Sequence, residues 1–177
     1  MDRAYLVSKL RTVPDYPVKG ILFWDVTTLM KDAKALRMVV DATYELYKDK
    51  GITKVVGVES RGFIVGAALA VRLGAGFVPA RKPGKLPASV VSESYDKEYG
   101  KDTVEMHTDS ITPDDVVLIH DDLLATGGTV AAVNRMVRRF GPKAVYDNFI
   151  IELPALHGRA RLPEGAEVTA LLQLDGA

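Results

Sequence analysis

The 177-residue sequence contains no cysteine. This absence excludes disulfide frameworks, thiolate catalysis and cysteine-ligated zinc, and it is compatible with a reducing compartment. The sequence also has no net charge, because 23 lysines and arginines balance 23 aspartates and glutamates. No global positive field is available to hold nucleic acid, so an anionic ligand must be bound by a local site. We therefore expect no nucleic-acid partner.

Long apolar segments are also missing. The longest apolar run, residues 62–71, is about half the length of a membrane-spanning helix and is bracketed by Arg61 and Arg72. The N-terminal residues, which include Asp2 and Arg3, are too charged for a secretory signal. We therefore expect no membrane partner and a cytoplasmic location.

Hydrophobic residues make up 47% of the chain, which is enough to fill one core. No repeat, low-complexity tract or linker divides the sequence, so we expect a single domain over residues 1–177. Hydrophobic spacing predicts three helices, over residues 32–50, 63–73 and 129–140. Short apolar, β-branched runs predict four strands, over residues 54–58, 76–80, 116–120 and 144–151.

Strands that alternate with helices indicate the α/β class, with a central, mainly parallel sheet flanked by helices. Ligands of such sheets bind beyond the carboxyl ends of the strands. The turns that follow Val58, Ala80 and His120 are therefore the places where a functional site is expected.

The turn after His120 is the richest of these in functional groups. Asp121 and Asp122 directly follow the apolar strand, and adjacent carboxylates there can accept hydrogen bonds from the two neighbouring hydroxyls of a ribose. The run Ala125-Thr126-Gly127-Gly128-Thr129 then leads into a helix, whose first amides and dipole favour a phosphate. Any doubly wound domain can carry glycine at such a turn, but the preceding acidic pair makes this pattern much more specific.

Residues 116–129 resemble the phosphoribosyl pyrophosphate motif of the type I phosphoribosyltransferases. The similarity extends over roughly residues 13–162 and is greatest to the adenine-specific branch of the family. It runs through the segments Gly20–Asp25, Glu59–Phe63, Arg81–Pro87 and Glu98–Lys101. The resemblance implies the type I phosphoribosyltransferase fold, with an N-terminal base-recognition hood segment over about residues 1–31 and a flexible lid loop over about residues 88–102.

The implied reaction transfers 5-phosphoribosyl from phosphoribosyl pyrophosphate to adenine and yields AMP and pyrophosphate, a step of purine salvage. The resemblance also implies a homodimer and a Mg²⁺ cofactor that arrives with the substrate, with no protein ligand assigned to it. Two alternatives stay open: an enzyme for a 6-oxopurine such as hypoxanthine or xanthine, and a non-catalytic sensor of phosphoribosyl pyrophosphate.

The resemblance assigns the phosphoribosyl pyrophosphate site residue by residue. Asp121 and Asp122 would bind the ribose, and residues 125–129 the 5'-phosphate. Ser60 and Arg61, with Lys82, would bind the pyrophosphate; a local Glu59 to Arg61 ion pair is the alternative. Arg81 is left open, either near the phosphate or at a subunit interface.

Residues 88–102 are too polar to pack and too long for a simple turn, which is typical of a lid. By resemblance, Glu98 handles the imidazole proton of the base as general acid or base, and Tyr99 helps to close the site. The alternative is that Glu98 is one more charge on a mobile surface hairpin.

Base binding is assigned to Leu22, Phe23 and Trp24. Relatives commonly carry arginine or lysine at the position of Trp24, so its side chain either leaves base binding unaffected or alters base preference. Alternatively, Phe23 and Trp24 only anchor the N-terminal segment. The histidines at 107, 120 and 157 have no metal-ligand spacing and are interpreted as structural or solvated.

Overall fold

The computed structural model describes residues 1–96 and 100–175. Its helices are α1 (Arg3–Ser8), α2 (Thr27–Met30), α3 (Ala33–Tyr47), α4 (Gly62–Leu73) and α5 (Gly128–Arg139). Its strands are β1 (Arg11–Pro14), β2 (Leu22–Asp25), β3 (Lys54–Val58), β4 (Gly76–Ala80), β5 (Val90–Asp96), β6 (Lys101–His107), β7 (Val116–Leu124), β8 (Ala144–Glu152) and β9 (Glu167–Gln173). Short 3-10 helices cover Pro154–Leu156 and Gly158–Arg161.

A parallel five-stranded sheet, in the order β4-β3-β7-β8-β9, forms the centre of the molecule. This confirms the predicted α/β class. Val58 lies opposite Ala80, and Gly57 lies opposite His120, so the predicted functional turns meet at one edge of the sheet.

Helices cover both faces of this sheet, and each face has its own apolar cluster. Helix α5 and the β5–β6 hairpin cover one face, where Met136 and Met106 pack with Ile119 and Phe149. Helices α3 and α4 cover the other face. Within the described residues, no helix is long and apolar enough to cross a lipid bilayer.

Helix α3 shows how closely local sequence determines an element. The Asp32 carboxylate caps the helix by accepting a hydrogen bond from the Ala35 N–H at 2.9 Å. Ala35, Val39 and Tyr47 then recur at multiples of four residues and are buried against the sheet. The helix ends at Tyr47, three residues before the predicted end.

One predicted strand end differs in a way that affects the site. Strand β7 does not end at His120, because β8 continues beside it and pairs as far as Leu124 with Glu152. Asp121 and Asp122 therefore belong to the strand, and the turn begins after Leu124. β3 pairs with β7 only as far as His120, which leaves the acidic pair next to the open end of β3.

Most of the described part of residues 88–102, which were predicted as a loop, is β-structure, and the role of this segment as a lid stays a prediction. β5 and β6 form an antiparallel hairpin, with Val90 opposite His107 and Asp96 opposite Lys101. Half-buried Val91, Glu93 and Tyr95 alternate with exposed neighbours, which is the period of a strand with one covered face. Glu98 and Tyr99 lie outside the described residues.

Candidate active site

The loop between β7 and α5 forms a small cavity of about 100 Å³. Its lining residues are Asp121, Leu123, Leu124, Ala125, Thr126, Gly127, Gly128, Thr129 and Val130. Because α5 begins at Gly128, its unpaired amides and the positive end of its dipole adjoin this cavity. The arrangement suits a phosphate group, and the sequence predicted residues 125–129 for that purpose.

Gly127 makes this loop possible through its backbone conformation. It adopts a φ of +80°, and a Cβ atom placed on it would lie 2.3 Å from the carbonyl oxygen of Gly158. A Cβ atom on Gly158 would in turn lie 2.2 Å from the carbonyl oxygen of Ala125. The loop therefore rests directly on the backbone of a segment about 30 residues later. The sequence analysis missed Gly158, because nothing in its local sequence indicates this long-range contact.

Asp121 and Asp122 stand between the phosphate loop and the loop that follows β3. Asp122 is buried, and its Oδ2 lies 2.6 Å from Nε of Arg61. Burial and the neighbouring Asp122 charge raise the pKa of Asp121 well above its ordinary value, while the Arg61 charge acts in the opposite direction. Asp121 therefore keeps its proton to a higher pH than an exposed aspartate.

A second cavity, of about 450 Å³, shares Asp121 with the first. Its lining residues are Glu59, Ser60, Arg61, Lys82, Asp121 and Asp122. Ser60 and Arg61 follow β3, and Lys82 follows β4, so adjacent strands bring two cations to one edge. The peptide bond between Glu59 and Ser60 is cis. All residues that the sequence assigned to phosphoribosyl pyrophosphate thus line two adjoining cavities.

Glu59 organises the loop that carries Lys82. Its carboxylate accepts a 2.9 Å hydrogen bond from the Lys82 N–H and a 3.1 Å hydrogen bond from Nε of Arg81. These two groups, the Lys82 N–H first, hold the pKa of Glu59 below its ordinary value. The alternative of a Glu59 to Arg61 ion pair is therefore wrong, since Arg61 pairs with Asp122. Arg81, which the sequence left open, is occupied with Glu59 and with the carbonyl of Lys85.

Residues of β2 point in two directions. The Arg61 guanidinium lies 5.5 Å from the centre of the Phe23 ring, and Tyr16 packs edge-on against the same ring. Trp24 is the next residue, and successive side chains of a strand face opposite sides. Its indole packs on the apolar cluster beneath α3 and donates a 3.1 Å hydrogen bond to the Asp175 carbonyl. Phe23 therefore lies beside Arg61, the partner of Asp122, whereas the Trp24 side chain packs on the apolar cluster, and its role in base binding stays a prediction.

A third cavity, of about 190 Å³, separates the hairpin from the ends of β3 and β4. Lys82, Tyr95, Asp102 and Thr129 are among the residues that line it. Tyr95 links the hairpin to the phosphate loop, because the Thr129 hydroxyl donates to the Tyr95 hydroxyl at 2.8 Å. The sequence analysis did not identify Tyr95, since a tyrosine in an alternating polar strand carries no signal of its partner.

The histidines take structural positions. His120 is fully buried beneath the acidic pair, with Nδ1 2.8 Å from Oδ1 of Asn148, and burial lowers its pKa to about 4. Nε2 of His107 accepts a hydrogen bond from the Ala88 N–H, and His157 occupies a turn with a φ of +53°. Over residues 1–96 and 100–175, no group of three or more potential ligand side chains is arranged to hold a metal.

Comparison with known proteins identifies the family to which this chain belongs. Residues 25–163 match the phosphoribosyl transferase domain family. An adenine phosphoribosyltransferase from Phocaeicola vulgatus is 62% identical over 98% of this chain and 100% of the relative. The crystal structure of the adenine phosphoribosyltransferase from Rhodothermus marinus has a TM-score of 0.91 at 52% identity, with 97% of each chain covered. The Giardia lamblia enzyme, complexed with 9-deazaadenine, has a TM-score of 0.93 at 40% identity, with 98% of each chain covered.

Proposed function

Because this chain belongs to the adenine phosphoribosyltransferases, we propose that its two adjoining cavities bind the two ends of phosphoribosyl pyrophosphate. The reaction of the family transfers the 5-phosphoribosyl group to adenine and releases AMP and pyrophosphate, which is purine salvage. The enzyme must therefore hold a 5'-phosphate, a ribose and a pyrophosphate in that order.

The position of Asp121 carries this proposal. It lines both the phosphate-sized cavity and the larger, cation-lined cavity. A phosphate on the amides of residues 125–129 would place the attached ribose beside Asp121 and Asp122. The pyrophosphate on the ribose would then enter the cavity of Arg61 and Lys82. Guanidinium and ammonium groups favour such an anion, and they stabilise the charge that develops as it departs.

The two carboxyl groups of the acidic pair differ in environment. Asp122 is paired with Arg61, whereas burial and the neighbouring Asp122 charge raise the pKa of Asp121. A ribose with neighbouring hydroxyls both donates and accepts. The pair thus orients the sugar so that its anomeric carbon faces the base, and this orientation is itself a source of rate enhancement.

Magnesium fits the oxygen chemistry of this site. The carboxylates of Asp121 and Asp122 border the cation-lined cavity, and Mg²⁺ prefers a few carboxylate oxygens together with water and phosphate oxygens. These two residues would hold the ion jointly with the substrate. When bound, Mg²⁺ supplies positive charge that stabilises pyrophosphate as a leaving group.

The base is proposed to stack on Phe23, whose ring adjoins Arg61 and hence the ribose position. Leu22, and the main chain on either side of Trp24, would complete the slot. Glu98 is proposed to transfer the imidazole proton, and Tyr99 to help close the site; both lie outside the described residues.

The test is turnover of adenine, hypoxanthine, guanine and xanthine, each with phosphoribosyl pyrophosphate and magnesium, with the nucleotide quantified in parallel reactions. We expect AMP formation from adenine and little product from the 6-oxopurines. Turnover of a 6-oxopurine would reassign the base and implicate the β2 segment. Binding of phosphoribosyl pyrophosphate without turnover of any base would support a sensor.

We also propose a homodimer, formed through α4. Ile64, Ala67 and Val71 recur at helical spacing, and Ile64 and Val71 are 49% and 85% exposed. This apolar stripe begins three residues after Arg61, so a second copy bound to it would lie next to the proposed active site. Ile64→Glu should convert dimers to monomers in analytical ultracentrifugation. Leu46→Glu, at a position on α3 with 46% exposure, is the control and should leave the dimer intact.

A cytoplasmic location is proposed from the cysteine-free sequence, which suits a reducing compartment. Cell fractionation tests it directly. Recovery of the chain with the membrane or the exported fraction would contradict it.

A further inference from the structure

Helix α5 carries more than the phosphate loop, because the β5–β6 hairpin docks along it. Oε1 of Glu93 accepts a 2.7 Å hydrogen bond from Nε of Arg135, and Oε2 pairs with Arg139. Arg139 also donates to the carbonyl of Ser92. The Glu93 side chain is only 13% exposed, and Arg135, followed by Arg139, holds its pKa below the ordinary value. These contacts fix the middle of β5 to the last turns of α5.

The end of β5 is fixed to the opposite end of the same helix. The Thr129 hydroxyl donates to the Tyr95 hydroxyl at 2.8 Å, and the Tyr95 hydroxyl donates to Oδ2 of Asp102 at 3.2 Å. The Tyr95 ring lies over the start of α5, where a Cβ atom on Gly128 would come within 3.2 Å of it. The phosphate loop and the hairpin therefore share one side chain, Thr129.

A threonine hydroxyl has a single proton to donate. In the structure that proton is given to a neutral phenol oxygen. A phosphate in the cavity that Thr129 lines would offer a charged oxygen instead, and hydrogen bonds to charged acceptors are roughly twice as strong. The phosphate should therefore replace Tyr95 as the acceptor of the Thr129 hydrogen bond, and Tyr95 should lose this donor.

We propose that Tyr95 is a positioning residue that reports occupancy of the 5'-phosphate loop to the hairpin. Phosphate binding redirects the Thr129 hydrogen bond from Tyr95 to the phosphate and weakens the attachment of the hairpin end, around residues 94–96 and 101–103, to α5, while Glu93 keeps the remainder docked on α5. The inference rests on the proposed function, because it requires a phosphate at residues 125–129.

Hydrogen exchange measured by mass spectrometry tests this coupling, with ribose 5-phosphate as the probe. In the wild-type protein, the probe should speed exchange at residues 94–96 and 101–103. Tyr95→Phe retains the ring but lacks the hydroxyl, so these residues should exchange rapidly with or without the probe. Ser94→Ala is the control: it removes the Ser94 contact with Thr103 inside the hairpin and should retain the response to the probe.

Affinity and kinetics give a second readout that a merely structural role would not produce. Without the competing acceptor, Tyr95→Phe should bind ribose 5-phosphate about two- to tenfold more tightly by calorimetry, which is the fold-change expected for one net hydrogen bond. The KM for phosphoribosyl pyrophosphate should fall in the same direction, because its 5'-phosphate occupies the same loop. Unchanged or weaker binding, or a persistent exchange response in Tyr95→Phe, would overturn the inference.

Failure of the proposed function gives a different pattern. If the wild-type protein neither binds ribose 5-phosphate nor forms AMP, both proposals are wrong. If it does both and the hairpin exchanges at the same rate with and without the probe, only the role of Tyr95 is wrong.

Discussion

The Nε atom of Arg61 lies 2.6 Å from Oδ2 of Asp122, which joins the pyrophosphate side of the site to its ribose side. The substrate must therefore compete with, or bridge, an existing ion pair. Because the buried Asp122 carboxylate restricts the position of the Arg61 side chain, the cation is already in place before the substrate binds.

Arg61→Gln should raise the KM for phosphoribosyl pyrophosphate by roughly 10- to 100-fold, the effect of losing a hydrogen bond to a charged group. The KM for adenine should change less. Arg72→Gln, in the last turn of α4, is the control arginine substitution, because Arg72 is exposed and pairs only loosely with Asp41 at 3.5 Å. Equal kinetics for the two variants would remove Arg61 from the site.

Gly127→Ala should destabilise the protein more than Gly141→Ala. Both glycines have a positive φ, which costs about 1–2 kcal/mol for alanine, but nothing lies within 4 Å of a Cβ atom on Gly141. At Gly127 the methyl group meets the Gly158 carbonyl, so the backbone must shift. Urea unfolding should show the larger loss of stability for Gly127→Ala, together with a higher KM for phosphoribosyl pyrophosphate. Similar losses would show that the close approach to Gly158 is unimportant.

Phe23→Ala and Trp24→Phe should separate base binding from anchoring. Loss of a stacking aromatic ring costs about 1–3 kcal/mol per base, so Phe23→Ala should raise the KM for adenine roughly 5- to 100-fold. Trp24→Phe should leave that KM unchanged and reduce the stability by about 1 kcal/mol or more, because the hydrogen bond to Asp175 and part of the indole's packing on the apolar cluster are lost. A raised KM in Trp24→Phe would instead place the indole in base recognition.

Glu98→Ala should lower turnover by roughly two to four orders of magnitude, the range for a positioned general acid or base. Asp96→Ala, which removes an exposed carboxylate two residues away, is the control. Steady-state turnover at saturating substrates is the measurement, and an unaffected Glu98→Ala enzyme would exclude Glu98 from proton transfer.

Asp147 should give a pH-dependent penalty to stability. It is fully buried, accepts a 2.8 Å hydrogen bond from Asn134, and burial raises its pKa to about 6 from an ordinary 3.8. Between these values the folded state keeps a proton that the unfolded chain has lost, so stability falls as pH rises. The stability of Asp147→Asn relative to the wild type should therefore rise with pH across this window. Its free energy of unfolding should finally exceed that of the wild type by up to about 3 kcal/mol.

His120 acts in the opposite direction over a similar range. Its pKa falls from 6.5 to about 4 on burial, so its contribution to stability is lost as pH drops through that interval. The difference between Asp147→Asn and the wild type cancels this effect, since both proteins contain His120. A difference that stays constant from pH 4 to pH 7 in urea unfolding would contradict the raised pKa of Asp147.

Much of the fold could be predicted because local patterns coincide with tertiary environment. Lys54–Val58 and Gly76–Ala80 are strands over the predicted residues, since short apolar runs suit strands covered on both faces. The hairpin was mistaken for a loop because its side chains are polar. Its strand signal is an alternation of half-buried and exposed positions, and it is helix α5 that supplies the cover.

The site residues likewise fall into those that could be predicted from the sequence and those that could not. Residues at or just beyond the carboxyl ends of strands, such as Arg61, Lys82 and Asp121, could be placed together because parallel strands end at one edge. Gly158 and Tyr95 could not, since their importance comes from contacts between distant segments. The chemical roles of Phe23 and Glu98 remain predictions.

The contact between residues 125–127 and Gly158 has a practical consequence for anyone who diversifies this enzyme by mutagenesis. A side chain at Gly127 or at Gly158 collides with main-chain atoms, and no second substitution can make a peptide carbonyl smaller. Compensating pairs should therefore not be recovered at these two positions, however large the library. Variation is better directed to the outer face of the hairpin, where Ser92, Ser94 and Asp96 point to solvent.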